Sequence, residues 1–265
     1  MTPFTPDVAQ PARVYNCWIG GKDHFPADRQ AANRVAQCRP QVISGARANR
    51  AFLARAVRYL TAERGISQFL DIGPGLPAPG STHEIAQAID PSSRVVYADN
   101  DPLVLTHARG LLASDPRGVC AYLEADLRDP ALILRQAAGT LDFTQPAAVL
   151  LVAILHFIPD AEDPAGIVEE LADALAPGSF IAISHLTADF APDQVTSGVA
   201  AYNSLVSTGI TARTHAQVTA LFGGLSLVPP GVVPVSEWRP VMGFRPQPAD
   251  MYAGLVMTRW PGWIP

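Results

Sequence analysis

The sequence is almost without lysine: of 19 basic residues among 265, all but Lys22 are arginine. Together with the alanine and proline richness this points to a GC-rich genome, and the one surviving lysine hints at a position that wants a compact ammonium. Cysteine is scarce. Cys17, Cys38 and Cys120 are an odd number without metal-ligand spacing, which reads as a reduced, cytoplasmic chain with no disulfide framework. Charged residues make up only 16%, with a net charge of −5, and that balance speaks against a general nucleic-acid binder. No apolar run reaches the roughly 18 residues of a spanning helix, so no membrane partner is expected. The stretch Met1 to Asp7 has neither a basic region nor an apolar core of the signal-peptide kind. His-x-x-x-His, Cys-x-x-Cys and acidic bundles are all missing, so no metal is expected. So are the Gly-x-Ser-x-Gly elbow and the Gly-x-x-x-x-Gly-Lys phosphate loop.

What is present is apolar: 48% of residues are hydrophobic, enough for a sizeable core in one large α/β domain. Residues 1–65 differ from the rest. A polar, Gly- and Arg-rich segment precedes a helical pattern over Ile43–Glu63, in which Phe52, Leu53, Ala56, Val57 and Leu60 share one face. From Ser67 onward, strand patterns at Gln68–Ile72, Arg94–Ala98, Val119–Glu124, Ala147–Ala153 and Ser179–Ser184 alternate with helical patterns at Thr82–Ile89, Pro102–Ala113, Pro130–Ala138 and Pro164–Leu175. Pro102, Pro130 and Pro164 each follow an aspartate, an acidic cap before proline at the first helical position. Such alternation builds a parallel sheet with helices on both faces. A helical stretch over Asp193–Phe222 follows. Then come two further strands, Leu225–Val235 and Met251–Met257, too close for a helix between them and so expected to be antiparallel neighbours.

The chemistry gathers where strands end. Asp71-Ile72-Gly73-Pro74-Gly75 closes the first strand with an acid and a Gly-x-Gly loop, which lets backbone approach a ligand. Pro77, Pro79 and Gly80 delay the next helix to about Thr82, which disfavours a diphosphate ligand seated on that helix N-terminus. Asp99, with Asn100, ends the second strand where a carboxylate grips a ribose diol. Asp126 ends the third, positioned to accept from an exocyclic amine with the Leu127 backbone against the ring. The fourth strand ends at Ala153 and leads into Ile154-Leu155-His156. Four successive strands thus carry polar residues to one sheet edge, where ligands of open α/β sheets bind. Tyr15, Gly20, Gly21, Lys22, Asp23, His24 and Phe25 read as a loop able to fold over a ligand. Tyr15 and Arg50, or Arg47, are candidates for a ligand carboxylate. The alternative is that these arginines pair with the aspartates of the segment and hold it together.

Asp71-x-Gly73-x-Gly75, Asp99, Ala125-Asp126 and Leu155-His156 resemble the first four motifs of class I S-adenosylmethionine-dependent methyltransferases. More closely, the chain resembles the actinobacterial S-adenosyl methyltransferase family, formerly a domain of unknown function. The likeness rests on Ala12-Arg13-Val14-Tyr15, Gly20-Gly21-Lys22-Asp23, Ala27-Asp28-Arg29, the run Ala46 to Leu53, Thr82-His83-Glu84, Val96 to Pro102 and Glu237-Trp238-Arg239-Pro240. It departs from that pattern at Asn16-Cys17-Trp18, His24 and Pro74. The resemblance implies a Rossmann-like seven-stranded sheet with the last strand antiparallel (residues 66–265) under an N-terminal helical cap (1–65). It implies S-adenosyl-L-methionine as cofactor, held by Tyr15, Arg50, Asp71, Gly73, Gly75, His83, Asp99, Asn100, Asp126, Leu127 and Ala153, with a small-molecule methyl acceptor. His156 and Tyr15 are the candidate catalytic groups. His185 ends the fifth strand, further off, and His107 and His215 read as solvated helix residues. Oligomeric state stays open. So do three other readings: a non-catalytic cofactor-binding sensor, sulfonium chemistry other than methyl transfer, and an NAD-dependent oxidoreductase.

Overall fold

A computed structural model describes residues 6–104, 106, 114–240, 243 and 249–258. Helices α1 (Pro11–Ile19), α2 (Pro26–Cys38) and α3 (Val42–Arg64) lead into strand β1 (Gln68–Ile72). Then follow α4 (Thr82–Ile89), β2 (Arg94–Asp99), β3 (Val119–Glu124), α5 (Pro130–Ala137), β4 (Ala148–Val152), α6 (Pro164–Asp173) and β5 (Phe180–Leu186). The chain continues through α7 (Pro192–Leu205), α8 (His215–Ala220), β6 (Ser226–Leu227), β7 (Val233–Pro234) and β8 (Met251–Met257). The expected helix over Pro102–Ala113 begins at Pro102, and most of it, His107 included, lies outside the described residues. Aspartates start these helices as expected. Asp129 accepts from the Leu132 N–H and Asp163 from the Gly166 N–H, while Asp101 accepts from the Leu103 N–H.

The sheet order is β3-β2-β1-β4-β5-β8-β6, with β7 also paired to β8. The first five strands are parallel, and β8 runs antiparallel to β5, β6 and β7. The strand expected over Leu225–Val235 is one edge interrupted. Pro229 and Pro230 have no N–H to donate, so the ladder stops after the Val228 N–H meets Leu255 and resumes at Val233.

Alternation along each strand makes two cores. Leu70, Ile72, Val149, Leu151, Ile181 and Ile183 face α5, α6 and α8. Phe69, Val95, Ala148, Leu150, Phe180 and Ala182 face α3 and α4. The crossover from β1 therefore runs over one face and that from β4 over the other.

The segment expected as a 1–65 cap divides by packing. Phe52, Leu53, Ala56, Val57 and Leu60 of α3 belong to the second core. Trp238, fully buried, meets Phe52 and Tyr59 edge-on at centroid distances of 5.4 and 5.9 Å. Arg55 donates to the Trp238 and Val235 carbonyls at 2.8 and 2.7 Å. The Glu237-Trp238-Arg239-Pro240 motif is thus a clamp on α3. Helices α1 and α2 instead join α7 in a small cluster around Val14, Ala32, Val35 and Tyr202, pinned by the buried Arg13–Asp28 pair at 3.1 Å. Of the expected loop, Tyr15 lies on α1, while Gly20 to Phe25 form the link between α1 and α2. The signals of the two helices were Pro11 and Pro26 at helix starts and Gly20 at a helix end.

Phe52→Ala is expected to lower unfolding free energy by about 3–5 kcal/mol, the cost of emptying a full aromatic site. Denaturant melts check it. A loss well under 1 kcal/mol would mean that α3 is a detachable lid.

Candidate active site

Between β1 and β4 the chain reverses its direction of winding, the place where open α/β sheets form a crevice. A cavity of about 490 Å³ opens there, over the C-terminal ends of β1 to β4 and under α1 and α7. Its floor needs special backbone. Gly73 and Gly75 take φ of +71° and +69°, and a Cβ at Gly73 would overlap the Ile154 side chain. Ala153, at the end of β4, holds φ +58° without being glycine, a cost that clusters at functional sites.

A hydrogen-bond chain joins this floor to the roof. The Ala153 N–H donates to Ser184 Oγ at 2.9 Å, and Ser184 donates to Asn49 Oδ1 at 2.6 Å. Asn49 Nδ2 donates to the Tyr15 hydroxyl at 3.1 Å, and Tyr15 donates to the Ala46 carbonyl at 2.9 Å. Tyr15 thus lines the cavity with its proton committed to a carbonyl, and burial raises its pKa further. The phenol is therefore held in its protonated form.

Acids collect at one end. Asp71 Oδ2 accepts from Thr82 at 2.7 Å. Asp99 accepts from the Asp101 and Gly75 N–H groups at 2.9 and 3.2 Å. Burial pushes both carboxyls up to about 6, against those donors and, for Asp71, against the nearby Arg50 charge. Asp126 is different. Burial opposes its charge, but the Arg128 N–H, the Asn100 amide and the Arg128 guanidinium outweigh it and hold its pKa below the usual value. Arg50 donates to the Pro79 and Gly80 carbonyls at 3.3 and 3.1 Å, fixing the proline-rich loop.

The other end is built around a buried arginine. Arg213 donates to Asp160 at 2.6 Å, to the Leu155 and Ile158 carbonyls at 3.1 and 2.8 Å, and to His185 Nε2 at 2.7 Å. A guanidinium cannot accept, so His185 carries its proton on Nδ1, which donates to the Leu186 carbonyl at 2.7 Å. His185 is neutral, with its pKa lowered by burial to about 4. The turn that Arg213 grips, Leu155–Phe157, presents His156 to the cavity. Burial first, then His185, Arg213 and Arg39, holds His156 well below the usual imidazole pKa. Its Nδ1 is buried without a partner. The imidazole is thereby unprotonated at pH 7.

Tyr15, Arg50, Asp71, Gly73, Gly75, Asp99, Asn100, Asp126, Leu127, Ala153 and His156 all line this one cavity. His83 does not. It is buried at the start of α4, where its N–H and Nδ1 both meet the Tyr97 hydroxyl at 2.9 and 2.8 Å, so its role is to brace α4 against β2. Arg47 and Lys22 are exposed, and nothing in the structure explains why position 22 is lysine. His215 stands exposed at the start of α8, as expected, and its ring also contacts Tyr252 and the Val232 carbonyl. Sequence reasoning overlooked Arg39, Asn49, Ser184, Tyr202 and Arg213. Four of them are polar or charged and buried, and only partners far along the chain reveal why.

A family model for S-adenosyl methyltransferases matches residues 3–259. The chain belongs to the S-adenosyl methyltransferase family. It is 44% identical to a DUF574 family protein from Streptomyces avermitilis, covering 96% of this chain and 99% of the other at a TM-score of 0.92. A candidate methyltransferase from Thermobifida fusca is 39% identical, covering 96% of both chains at 0.88. The mitomycin 7-O-methyltransferase MmcR shares the fold at 18% identity, covering 88% of this chain and 69% of its own at 0.51. No curated protein matches. The protein is an S-adenosylmethionine-dependent methyltransferase with a Rossmann-like sheet.

The methyltransferase cavity fits that cofactor chemically. The ligand is cationic at its sulfonium and ammonium, and Asp71 and Asp99 are buried carboxylates to which, among the described residues, no lysine or arginine donates a hydrogen bond. The fit has a cost in the free protein. A carboxyl whose folded pKa is raised contributes stability that is present below its ordinary pKa near 3.8 and lost as pH rises through about 6. His156 and His185, with lowered pKa values, change stability in the opposite sense over the same window, so wild-type stability alone hides the effect. Asp71→Asn is therefore expected to stabilise the ligand-free methyltransferase at pH 8 by on the order of 2 kcal/mol, with the gain shrinking by pH 5. Chemical denaturation at both pH values checks this. Equal destabilisation at both would overturn it.

Proposed function

We propose that this methyltransferase moves a methyl group onto an oxygen or nitrogen of a small molecule held between the acid end of the cavity and His156. The single observation that supports this most is the cavity's division. Buried carboxylates stand at one end and an unprotonated histidine at the other. When bound, S-adenosylmethionine supplies an electrophilic methyl group on sulfonium.

In this reading Asp99 accepts from the ribose hydroxyls, and Asp126 from the adenine amine. The Leu127 backbone, which lines the cavity, meets the adenine ring. Asp71 and the Gly73 backbone attend the methionine moiety, and Arg50 pairs with its carboxylate. Helices α1 and α2 with α7 form the roof that excludes water, so the functional cap is smaller than residues 1–65. His156 takes the proton from the acceptor's nucleophile, and Arg213 keeps the turn that carries it in place. Much of the acceleration comes from orientation in a dry site.

Calorimetric titration with S-adenosylhomocysteine tests the cofactor half. Asp99→Ala is expected to weaken binding by about 1–3 kcal/mol, the value of hydrogen bonds to a charged group. No binding to folded wild-type protein would overturn the reading. For the catalytic half, His156→Gln is expected to cost about 10²–10⁴ in turnover while leaving homocysteine-form affinity within twofold. Unchanged turnover on an identified acceptor would remove His156 from the mechanism.

A further inference from the structure

Arg39, in the link between α2 and α3, is buried at 6% exposure. Its Nε donates to Asp250 Oδ2 at 2.7 Å, tying the roof to the residue before β8. That contact uses one of its N–H groups. Nη1 and Nη2 meet no protein acceptor among the described residues, yet they are not sealed from solvent. The side chain lines the cavity, whereas Asp250 does not. Of the other lining arginines, Arg13 is held by Asp28 and Arg128 by Asp126 and Glu162, while Arg50 stands beside the acid end and is assigned above to the cofactor's carboxylate.

The lining carboxylates Asp71, Asp99, Asp101 and Asp126 all come from the ends of β1, β2 and β3. Arg39 stands at the opposite end. Its charge is one of those that depress His156, so the two share a neighbourhood. The walls around them are flat and apolar: Trp18, Phe157, Val199, Tyr202, Ile210 and Met251. Trp18 and Tyr202 lie 6.2 Å apart between ring centroids. The packing of Arg39 is also tight. A Cβ added at Gly198 of α7 would lie 3.2 Å from Arg39 Cβ and 3.5 Å from Cδ, so glycine there leaves the guanidinium room to reach the cavity.

We propose that the methyl acceptor is a small aromatic carboxylic acid whose carboxylate docks on Nη1 and Nη2 of Arg39 while its nucleophilic atom faces His156. An unengaged fork of N–H donors in an apolar pocket is matched by a planar anion, which forms paired charge-assisted hydrogen bonds. The apolar walls accept the ring. The polarity of the cavity keeps the two ligands apart, since the acid end repels the acceptor's carboxylate and the Arg39 end repels a cation. This inference deepens the function proposed above and rests on it.

The test uses wild-type protein saturated with S-adenosylhomocysteine. Benzoate, 4-hydroxycinnamate and indole-3-carboxylate are compared with their primary amides by saturation-transfer NMR and calorimetry. Acids are expected to bind about tenfold or more tightly than the matched amides, the scale of a charge-assisted pair. Arg39→Gln is expected to erase that preference and leave S-adenosylhomocysteine affinity within twofold. A crystal structure of the best acid bound to wild type is expected to seat its carboxylate on Arg39, and this arm stands even where Arg39→Gln fails to fold. Absence of any acid preference across the panel overturns the inference, as does a preference that survives in Arg39→Gln or a carboxylate seated elsewhere. Failure of S-adenosylhomocysteine itself to bind the wild type would sink the underlying cavity reading instead.

Discussion

The reversal of winding between β1 and β4 governs the rest of the molecule. Because the chain leaves β1 over one face and β4 over the other, no crossover covers the gap between their ends. Everything functional is arranged around that gap. The glycine loop after β1 and the strained Ala153 after β4 form its two lips, and the hydrogen-bonded series Ser184, Asn49, Tyr15 fastens the roof across it. A sheet of the same strands wound in one direction would bury the same apolar surface and have no site.

The cavity is expensive in opposite ways at its two ends. Two carboxylates are held where burial disfavours their charge, and two histidines are held where burial disfavours theirs. The protein meets these costs differently. At the acid end, backbone N–H groups and a hydroxyl give partial compensation and leave the remaining capacity for a ligand. At the histidine end, Arg213 satisfies two carbonyls, an aspartate and His185 at once, so the turn bearing His156 is fixed before any ligand arrives. Burial keeps both imidazoles neutral, and the charge of the arginine that stabilises the turn acts in the same direction.

Much of this was legible in the residues. The strand patterns at Gln68, Arg94 and Val119, the helix at Thr82 and the aspartate-proline helix starts all follow from local chemistry, and the structure repeats them nearly residue for residue. The acids at strand ends were legible because an open parallel sheet places every strand's C-terminus on one edge. What escaped was set by distant partners. His83 has the right residue type at the right loop, but its Nδ1 is taken up by the Tyr97 hydroxyl of β2 and it does not line the cavity. Nothing near Tyr15 in the chain shows that Ala46 and Asn49 share its hydroxyl. Arg39 and Arg213 are two arginines among many until Asp250 and His185 appear beside them. The apolar face of α3 was read correctly, yet its partner was hidden, because Trp238 lies far along the chain.

That last contact has a consequence for biosynthesis. Tyr15, Asn49 and Arg50 are among the first residues made, but α3, on which they depend, is clamped by Trp238, and Arg39 awaits Asp250. Strand β8 also lies between β5 and the β6–β7 edge, rather than on the outside of the sheet. A chain that stops before Trp238 and β8 therefore carries most of the candidate cofactor ligands without the contacts that hold α3 and Arg39 in place.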